Sequence, residues 1–259
     1  VTNWTNPFSF GNVDETNSAT TPVTVPMFGV QPGDLLVALC LATNFTATFP
    51  TGLGLTDTGS GGWANVGSVF NSGGAAAVNL YTGSHIKWKV ATSADASASV
   101  TLTPTPTVSG VGTVWYAALV ICDYRLTSGS NIVGDIFART GADANPGPTT
   151  LSASPASGST HSTFADELAI TGRVGRNTGH SIGANTFTAT SPTSALTTAF
   201  EQGSTGSGTV AAQQWVGGVQ ASATPGANVF VNSWSLPGND AALHGVTFAF
   251  TPTGQILIV

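Results

Sequence analysis

Val78-Asn-Leu-Tyr-Thr-Gly-Ser-His-Ile-Lys-Trp-Lys-Val90 alternates with a period of two. Val78, Leu80, Ile86, Trp88 and Val90 share one parity, while Asn79, His85, Lys87 and Lys89 take the other. Successive side chains of an extended chain point to opposite faces, so the pattern predicts a half-buried antiparallel strand pair or one long bent strand. Segments of the same kind recur on either side. Leu35-Leu-Val-Ala-Leu-Cys-Leu41 follows the turn pair Gly33-Asp34 and is apolar without a break, as a strand covered on both faces would be. Gly61-Gly62-Trp63 opens a shorter strand that ends near Phe70. Val100-Thr-Leu102-Thr103 is broken by Pro104-Thr-Pro106, and Trp115 to Tyr124 is again apolar on both faces, as a central strand is.

Composition points the same way. Only 7% of the 259 residues are charged, against ~25% in an average soluble protein. Packed helices need charged outer faces, and this chain has six Lys and Arg together, with 32 Gly and 14 Pro to interrupt any long helix. A hydrophobic content of 41% is ample for a core and excludes wholesale disorder. The expected fold is all-β: an antiparallel β-sandwich with almost no helix.

After Asp143-Ala-Asn-Pro-Gly-Pro148 the pattern starts again, about 130 residues on. Ala165-Asp-Glu-Leu-Ala-Ile170 echoes Gly33-Asp34-Leu-Leu-Val-Ala38, and Gln214 to Thr224 echoes Lys87 to Asp95. Val229-Phe-Val231 echoes Val100-Thr-Leu102, and Ala241 to Phe250 echoes Trp115 to Tyr124. These echoes read as an internal duplication of a five-strand unit. The organisation expected is an N-terminal arm over residues 1–22, a first sandwich half over 23–140 and a second over 141–259, as one continuous sandwich or as two. The apolar, uncharged residues 255–259 are expected to pair as a strand.

The net charge is -6, and six basic residues cannot neutralise a run of phosphates, so no nucleic-acid partner is expected. No membrane partner is expected either: a basic amphipathic helix is missing, and the most apolar run, Leu35 to Ala42, is too short to span a bilayer. The chain opens on Val1 without a signal-peptide pattern, as expected of a trimmed start or of numbering that follows processing. Cys40 and Cys122 each sit in an apolar run; two reduced core thiols and one disulfide between neighbouring strands both fit.

Groups able to do chemistry are few and scattered. Asp57-Thr-Gly-Ser60 matches the core motif of pepsin-like aspartic proteases, whose chemistry needs two carboxylates sharing a proton. No second such motif exists here, and an Asx-type turn leading into Trp63 is the better reading. His85, His161, His180 and His244 form no His-Glu-x-x-His motif, and no Gly-x-Ser-x-Gly elbow occurs. Asp34 and Asp166 read as turn caps at strand starts, and Asp14-Glu15 has no calcium-loop spacing. The basic stretch Gly172-Arg-Val-Gly-Arg-Asn-Thr-Gly-His180 reads as a solvated loop. Trp63, Trp88, Trp115, Trp215 and Trp234 lie in or beside strand-like runs, where core packing is the default. No catalytic, cofactor-binding or metal-binding residue is assigned, and no cofactor is expected.

In chain order, Gly33-Asp34-Leu-Leu-Val-Ala, Gly62-Trp63, Ile86-Lys-Trp-Lys-Val-Ala91 with Ser93-Ala-Asp95, and Trp115-Tyr-Ala-Ala-Leu-Val-Ile with Tyr124-Arg125 resemble a module of tailed-bacteriophage virion proteins. The resemblance covers residues 20–130. Such proteins are labelled minor tail, head-fibre or capsid decoration proteins, and it implies a jelly-roll-like β-sandwich without shared catalytic residues. Its shared positions read as scaffold: a turn at Gly33-Asp34, an anchoring Trp63, a core Trp88 and the strand from Trp115. Leu126 stands where many relatives carry Gly.

The function implied is a non-enzymatic bacteriophage structural protein on the virion surface, a capsid decoration or head/tail accessory protein assembled in the host cytoplasm. The alternative is a receptor- or glycan-binding adhesin of a tail tip or cell surface, working through sandwich-end loops; a secreted hydrolase would need convergent carboxylates and histidines. The partners expected are a second and third copy, as a homotrimer, and a major capsid or tail protein lattice. Three features motivate self-association: Trp4, Phe8 and Phe10 would dock from the arm onto a neighbour, residues 255–259 would complete a neighbour's sheet, and few charges keep subunits apart. The trimer follows from the resemblance. A monomer with both termini on its own core fits the same sequence.

Overall fold

A computed structural model describes residues 4–18, 22–44, 51–73, 81–105, 115–126, 132–133, 139–145, 150–153, 160–162, 167–178, 185–191, 197–203, 211–222, 226–235 and 241–252. They are almost wholly antiparallel strands. The first eight are β1 (Trp4–Ser18), β2 (Val23–Pro26), β3 (Leu35–Asn44), β4 (Gly52–Asp57), β5 (Ala64–Gly73), β6 (Tyr81–Val90), β7 (Ser99–Thr105) and β8 (Trp115–Leu126). A 3-10 turn, Ser93–Asp95, is the one helical element among the described residues. No described helix is long and apolar enough to cross a membrane.

These eight strands form two sheets, a larger one in the order β1-β8-β3-β6-β5 and a smaller one in the order β2-β7-β4. β3 lies at the centre of the larger sheet, paired from Leu35 opposite Tyr124 to Asn44 opposite Trp115 on one side, and from Leu35 opposite Val90 to Asn44 opposite Tyr81 on the other. Leu36, Ala38, Cys40 and Ala42 of β3 join Ala117, Leu119 and Ile121 of β8 on the face toward the smaller sheet. There they meet Val23, Val25, Leu53, Val100 and Leu102. Burying each such Val or Leu side chain contributes roughly 1.5–3 kcal/mol.

The other face of the larger sheet is covered as well. Leu35, Val37, Leu39, Val120, Cys122 and Tyr124 are all at most 1% exposed. This accounts for the unbroken apolar runs in β3 and β8. The remaining strands are β9 (Ile132–Val133), β10 (Arg139–Asn145), β11 (Thr150–Ala153), β12 (Thr160–Ser162), β13 (Glu167–Thr178), β14 (Asn185–Ser191), β15 (Thr197–Gly203), β16 (Ala211–Ser222), β17 (Gly226–Ser235) and β18 (Ala241–Pro252). β15 and β16 approach β8, β15 also approaches β1, and β10 and β18 approach β5. One sheet of this set runs β10-β18-β13-β16-β15, and β11, β12 and β14 all pair with β17 in another.

Several expectations are corrected. Residues 1–22 are not an arm as a whole: Trp4–Ser18 is the outer strand of the larger sheet, in register with β8 from Trp4 opposite Leu126 to Ser18 opposite Trp115. Phe10 is buried in the chain's own core, which removes one of the motives for self-association. The five-strand unit is larger, because β1, β2 and β4 are strands too. Their polar, Gly-interrupted or very short sequences carry little alternation. The stretch from Gly172 is strand as far as Thr178 instead of a loop, paired with β16 throughout and with β18 as far as Val174. Leu126, where many relatives carry Gly, is the last residue of β8. Residues 255–259 and His180 lie outside the described residues.

The alternation in β6 also resolves differently from a half-buried strand. Lys89 stands opposite Leu36, on the core-facing side, and is only 5% exposed, while Val90 is 39% exposed.

Candidate functional site

Asp57 ends β4, and its side chain organises the loop that follows. One carboxylate oxygen, Oδ1, accepts from the backbone N–H of Gly59 at 3.0 Å and of Gly61 at 2.8 Å. Gly61 sits at φ +65°, where a side chain would be strained. Oδ2 accepts from Trp63 Nε1 at 2.6 Å and from Lys89 Nζ at 2.6 Å. The Asp-Thr-Gly-Ser motif is thus an Asx-type turn leading into Trp63.

Asp95 reaches the same ammonium from the other side. Thr92 caps the 3-10 turn, and Asp95 closes a capping box with it. Asp95 Oδ2 accepts from Thr92 N at 2.8 Å, Thr92 Oγ1 at 3.1 Å and Ser60 Oγ at 2.7 Å. Its Oδ1 accepts from Ser60 N at 3.1 Å and Lys89 Nζ at 2.6 Å. Lys89 Nζ also lies 3.4 Å from Ser60 Oγ and 4.9 Å from the Trp63 ring centroid, in cation–π range. The side chains of Lys89, Asp57 and Asp95 are 3%, 0% and 0% exposed.

This network clamps the β4–β5 loop, the end of β6 and the β6–β7 turn together. Burial by itself would raise both carboxyls. The Lys89 ammonium, together with the Gly61 N–H and the Trp63 indole at Asp57 and with Thr92 and Ser60 at Asp95, outweighs that effect, so both are held below the ordinary carboxylate range. Asp57 and Asp95 share an ammonium, not a proton. Every carboxylate oxygen has at least two donors, so the cluster has no free valence for a substrate.

A second cluster joins the start of β3 to the end of β8. Arg125 donates from Nε to Asp34 Oδ1 at 2.8 Å and from its Nη2 amino group to Asp34 Oδ2 at 2.6 Å, a two-point pair. The same Nη2 reaches the Gly29 carbonyl at 3.4 Å, and Gln31 N donates to Asp34 Oδ2 at 2.7 Å. Asp34 therefore caps its turn, as the sequence suggests. Asp123 lies on the same face, two residues before Arg125. It is fully buried, and neither of its oxygens has a hydrogen-bond donor. Burial, then the charge of Asp34, pushes its carboxyl up to about 8 against the opposing pull of Arg125.

The other residues singled out do not converge. Asp14 and Glu15 fall in β1, His161 in β12, Arg173 and Arg176 in β13 and His244 in β18. His161 pairs with Ala227, and His244 with Ala142 and Val174, in different sheets. Among the described residues, no three His, Cys, Asp or Glu side chains group so as to hold a metal ion. Cys40 and Cys122 are free thiols. Cys40 stands opposite Leu119 and Cys122 opposite Val37, so they project from opposite faces of the sheet and cannot bridge. Burial pushes their thiols up to about 12 and about 11.

Sequence reasoning missed Lys89 and Asp95 as partners. The capping-box spacing Thr92-x-x-Asp95 was the available signal for Asp95. No family model, curated protein or solved structure matches the chain.

Proposed function

We propose that this chain is a non-enzymatic structural protein of a tailed-bacteriophage virion, displayed on the particle surface as a capsid decoration or head/tail accessory protein. The observation that carries the reading is the wiring of the first eight strands. With β1-β8-β3-β6 in one sheet and β2-β7-β4 in the other, the strand order supports reading these strands as two interleaved Greek keys, a jelly roll with β5 moved to the edge of the larger sheet. Jelly rolls recur in viral capsid and lectin domains. The order β10-β18-β13-β16-β15, with β11 and β14 beside β17, repeats the wiring, so we read the chain as two such halves.

The sites add support. The acidic and basic groups that converge around Lys89 saturate one another in the dry interior, which suits a scaffold better than a catalyst. Self-association as a homotrimer on a capsid or tail lattice belongs to the same proposal. Phe28 and Phe8, 62% and 36% exposed at the rim of the larger sheet, offer an apolar contact for a neighbouring subunit.

Negative-stain images of purified virions incubated with an antibody to this protein test the reading. Label on intact particles is expected, and unlabelled particles overturn it. Light scattering on the isolated protein tests the trimer: a monomeric mass at micromolar concentration removes self-association from the proposal.

A further inference from the structure

Asp34, Asp123 and Arg125 occupy one face where β3 and β8 meet. Leu36 stands directly opposite Asp123, and Asp34 precedes Leu36 by two residues, which makes Asp34 and Asp123 diagonal neighbours on that face. Arg125 spends its two-point hydrogen bond on Asp34 and is itself 36% exposed on its side chain. Asp123 is fully enclosed and has no donor of its own. An ionised carboxylate so placed would be a second negative charge beside Asp34, without compensation. A protonated carboxyl there has a proton to give, and the acceptor beside it is Asp34.

We propose that Asp34 and Asp123 form a proton-sharing carboxyl pair, and that this proton latches the turn carrying Phe28 and Gly29 onto the larger sheet. Asp34 is the hub of that turn. It holds Gln31 N through its carboxylate, its own N–H donates to Gln31 O at 3.1 Å, and its Arg125 partner reaches Gly29 O. Gly29 adopts φ +77°, and a Cβ there would meet the Phe8 ring at 2.7 Å, so the turn seats closely against β1. With the proton in place, Asp123 adds no charge of its own to the Asp34–Arg125 pair. Once the proton leaves, two buried carboxylates compete for one half-exposed guanidinium, and the turn opens to let water reach them.

Among the described residues, the charged groups that act on Asp123 are Asp34 and Arg125. β1 brings Phe8 opposite it and β3 brings Leu36, neither of which titrates. Cys122 and Tyr124, its neighbours on β8, are kept neutral by burial. Lys89, in register beyond Leu36, is committed to Asp57 and Asp95.

The sign follows from linkage. An unfolded Asp releases its proton at about 4, while burial, then the charge of Asp34, lets Asp123 hold it up to about 8. Folding therefore takes up one proton between these limits. The folding equilibrium weakens as pH rises through that window, approaching tenfold per pH unit, and levels off above it.

The test compares the wild-type protein with Asp123→Asn, whose amide donates to Asp34 at every pH. Denaturant unfolding between pH 5 and 7 is expected to show the near-tenfold slope in the wild type and a much flatter one in the variant. Infrared spectra of the native wild type are expected to show the C=O band of a protonated carboxylic acid at pH 6, lost by pH 9. Hydrogen exchange at the Gln31 amide, corrected for intrinsic base catalysis, should accelerate over the same range. Should the variant fail to fold, the wild-type infrared band and exchange profile decide alone. Absence of the band at pH 6, or equal pH slopes in the two proteins, overturns the proposal.

Discussion

Replacing Lys89 by Met removes the ammonium from between Asp57 and Asp95 while keeping the aliphatic bulk of the side chain. Lys89 donates to both carboxylates at 2.6 Å, and the three side chains are at most 3% exposed. Water cannot take over the lost role without the clamp opening. Breaking a buried pair by deleting one partner costs about 3–5 kcal/mol. Here two carboxylates lose their counter-charge, which pushes the cost up. The Gly59, Gly61, Trp63, Ser60 and Thr92 donors remain, which pulls it down. The expected loss is about 4 kcal/mol, or a fall in melting temperature of about 8–16 °C for a chain of this size. Urea unfolding with a shared slope and scanning calorimetry would both read it. The triple variant Lys89→Met, Asp57→Asn, Asp95→Asn removes the stranded charges and should recover much of the loss. A Lys89→Met protein destabilised by less than about 1 kcal/mol, the worth of an exposed pair, would refute the buried-clamp reasoning.

Three further outcomes are expected. Asp57 and Asp95 are held below their ordinary range when folded, so their contribution is complete above about pH 4 and drains away as pH falls below it; acid unfolding of Lys89→Met should show a shallower dependence there than the wild type. Gly59→Ala drives a Cβ into Asp95 Oδ1, with Ala98 Cβ at 3.0 Å and Ala94 O at 3.1 Å behind it, and should cost about 1–3 kcal/mol in the same unfolding assay. Cys40 and Cys122 should resist an aromatic disulfide reagent in the native protein and react as two thiols only in denaturant; rapid native labelling would contradict the burial of either one.

The strands that could be read from the sequence were those with length and contrast. β3 and β8 announce themselves by unbroken apolarity, and β6 by alternation. β2 has four residues, β4 spaces its leucines with glycines, and β1 is mostly polar, so local pattern carries little of their pairing. The Asp57 turn was legible because an Asx turn is made within six residues. Lys89 was not. Alternation shows that two faces differ, without showing which one points inward. The larger sheet is covered on both faces, so the apolar parity of β6 did not have to face the smaller sheet. Asp123 was hidden for a related reason: one acid in an apolar run looks like the end of a strand, and its meaning depends on Asp34, 89 positions earlier in the chain.

The two clusters share a row. Lys89, Leu36 and Asp123 stand side by side across β6, β3 and β8. A chain with few charges gathers six of them, Asp34, Asp57, Lys89, Asp95, Asp123 and Arg125, in these two clusters, and the backbone explains why. Strand ends and turns leave N–H groups without ladder partners, and those groups need acceptors. Carboxylates are acceptor-only groups that can each take several such donors. Asp57 takes Gly59 and Gly61, Asp95 takes Ser60 and Thr92, and Asp34 takes Gln31. Each carboxylate then needs a counter-charge once buried, which Lys89 and Arg125 supply. Asp123 is the member without a donor, and that is why the proton falls to it. Leu36 keeps the two networks about two strand spacings, roughly 10 Å, apart. The fold therefore carries two separate devices, a clamp that fails in acid and a latch that weakens toward alkali.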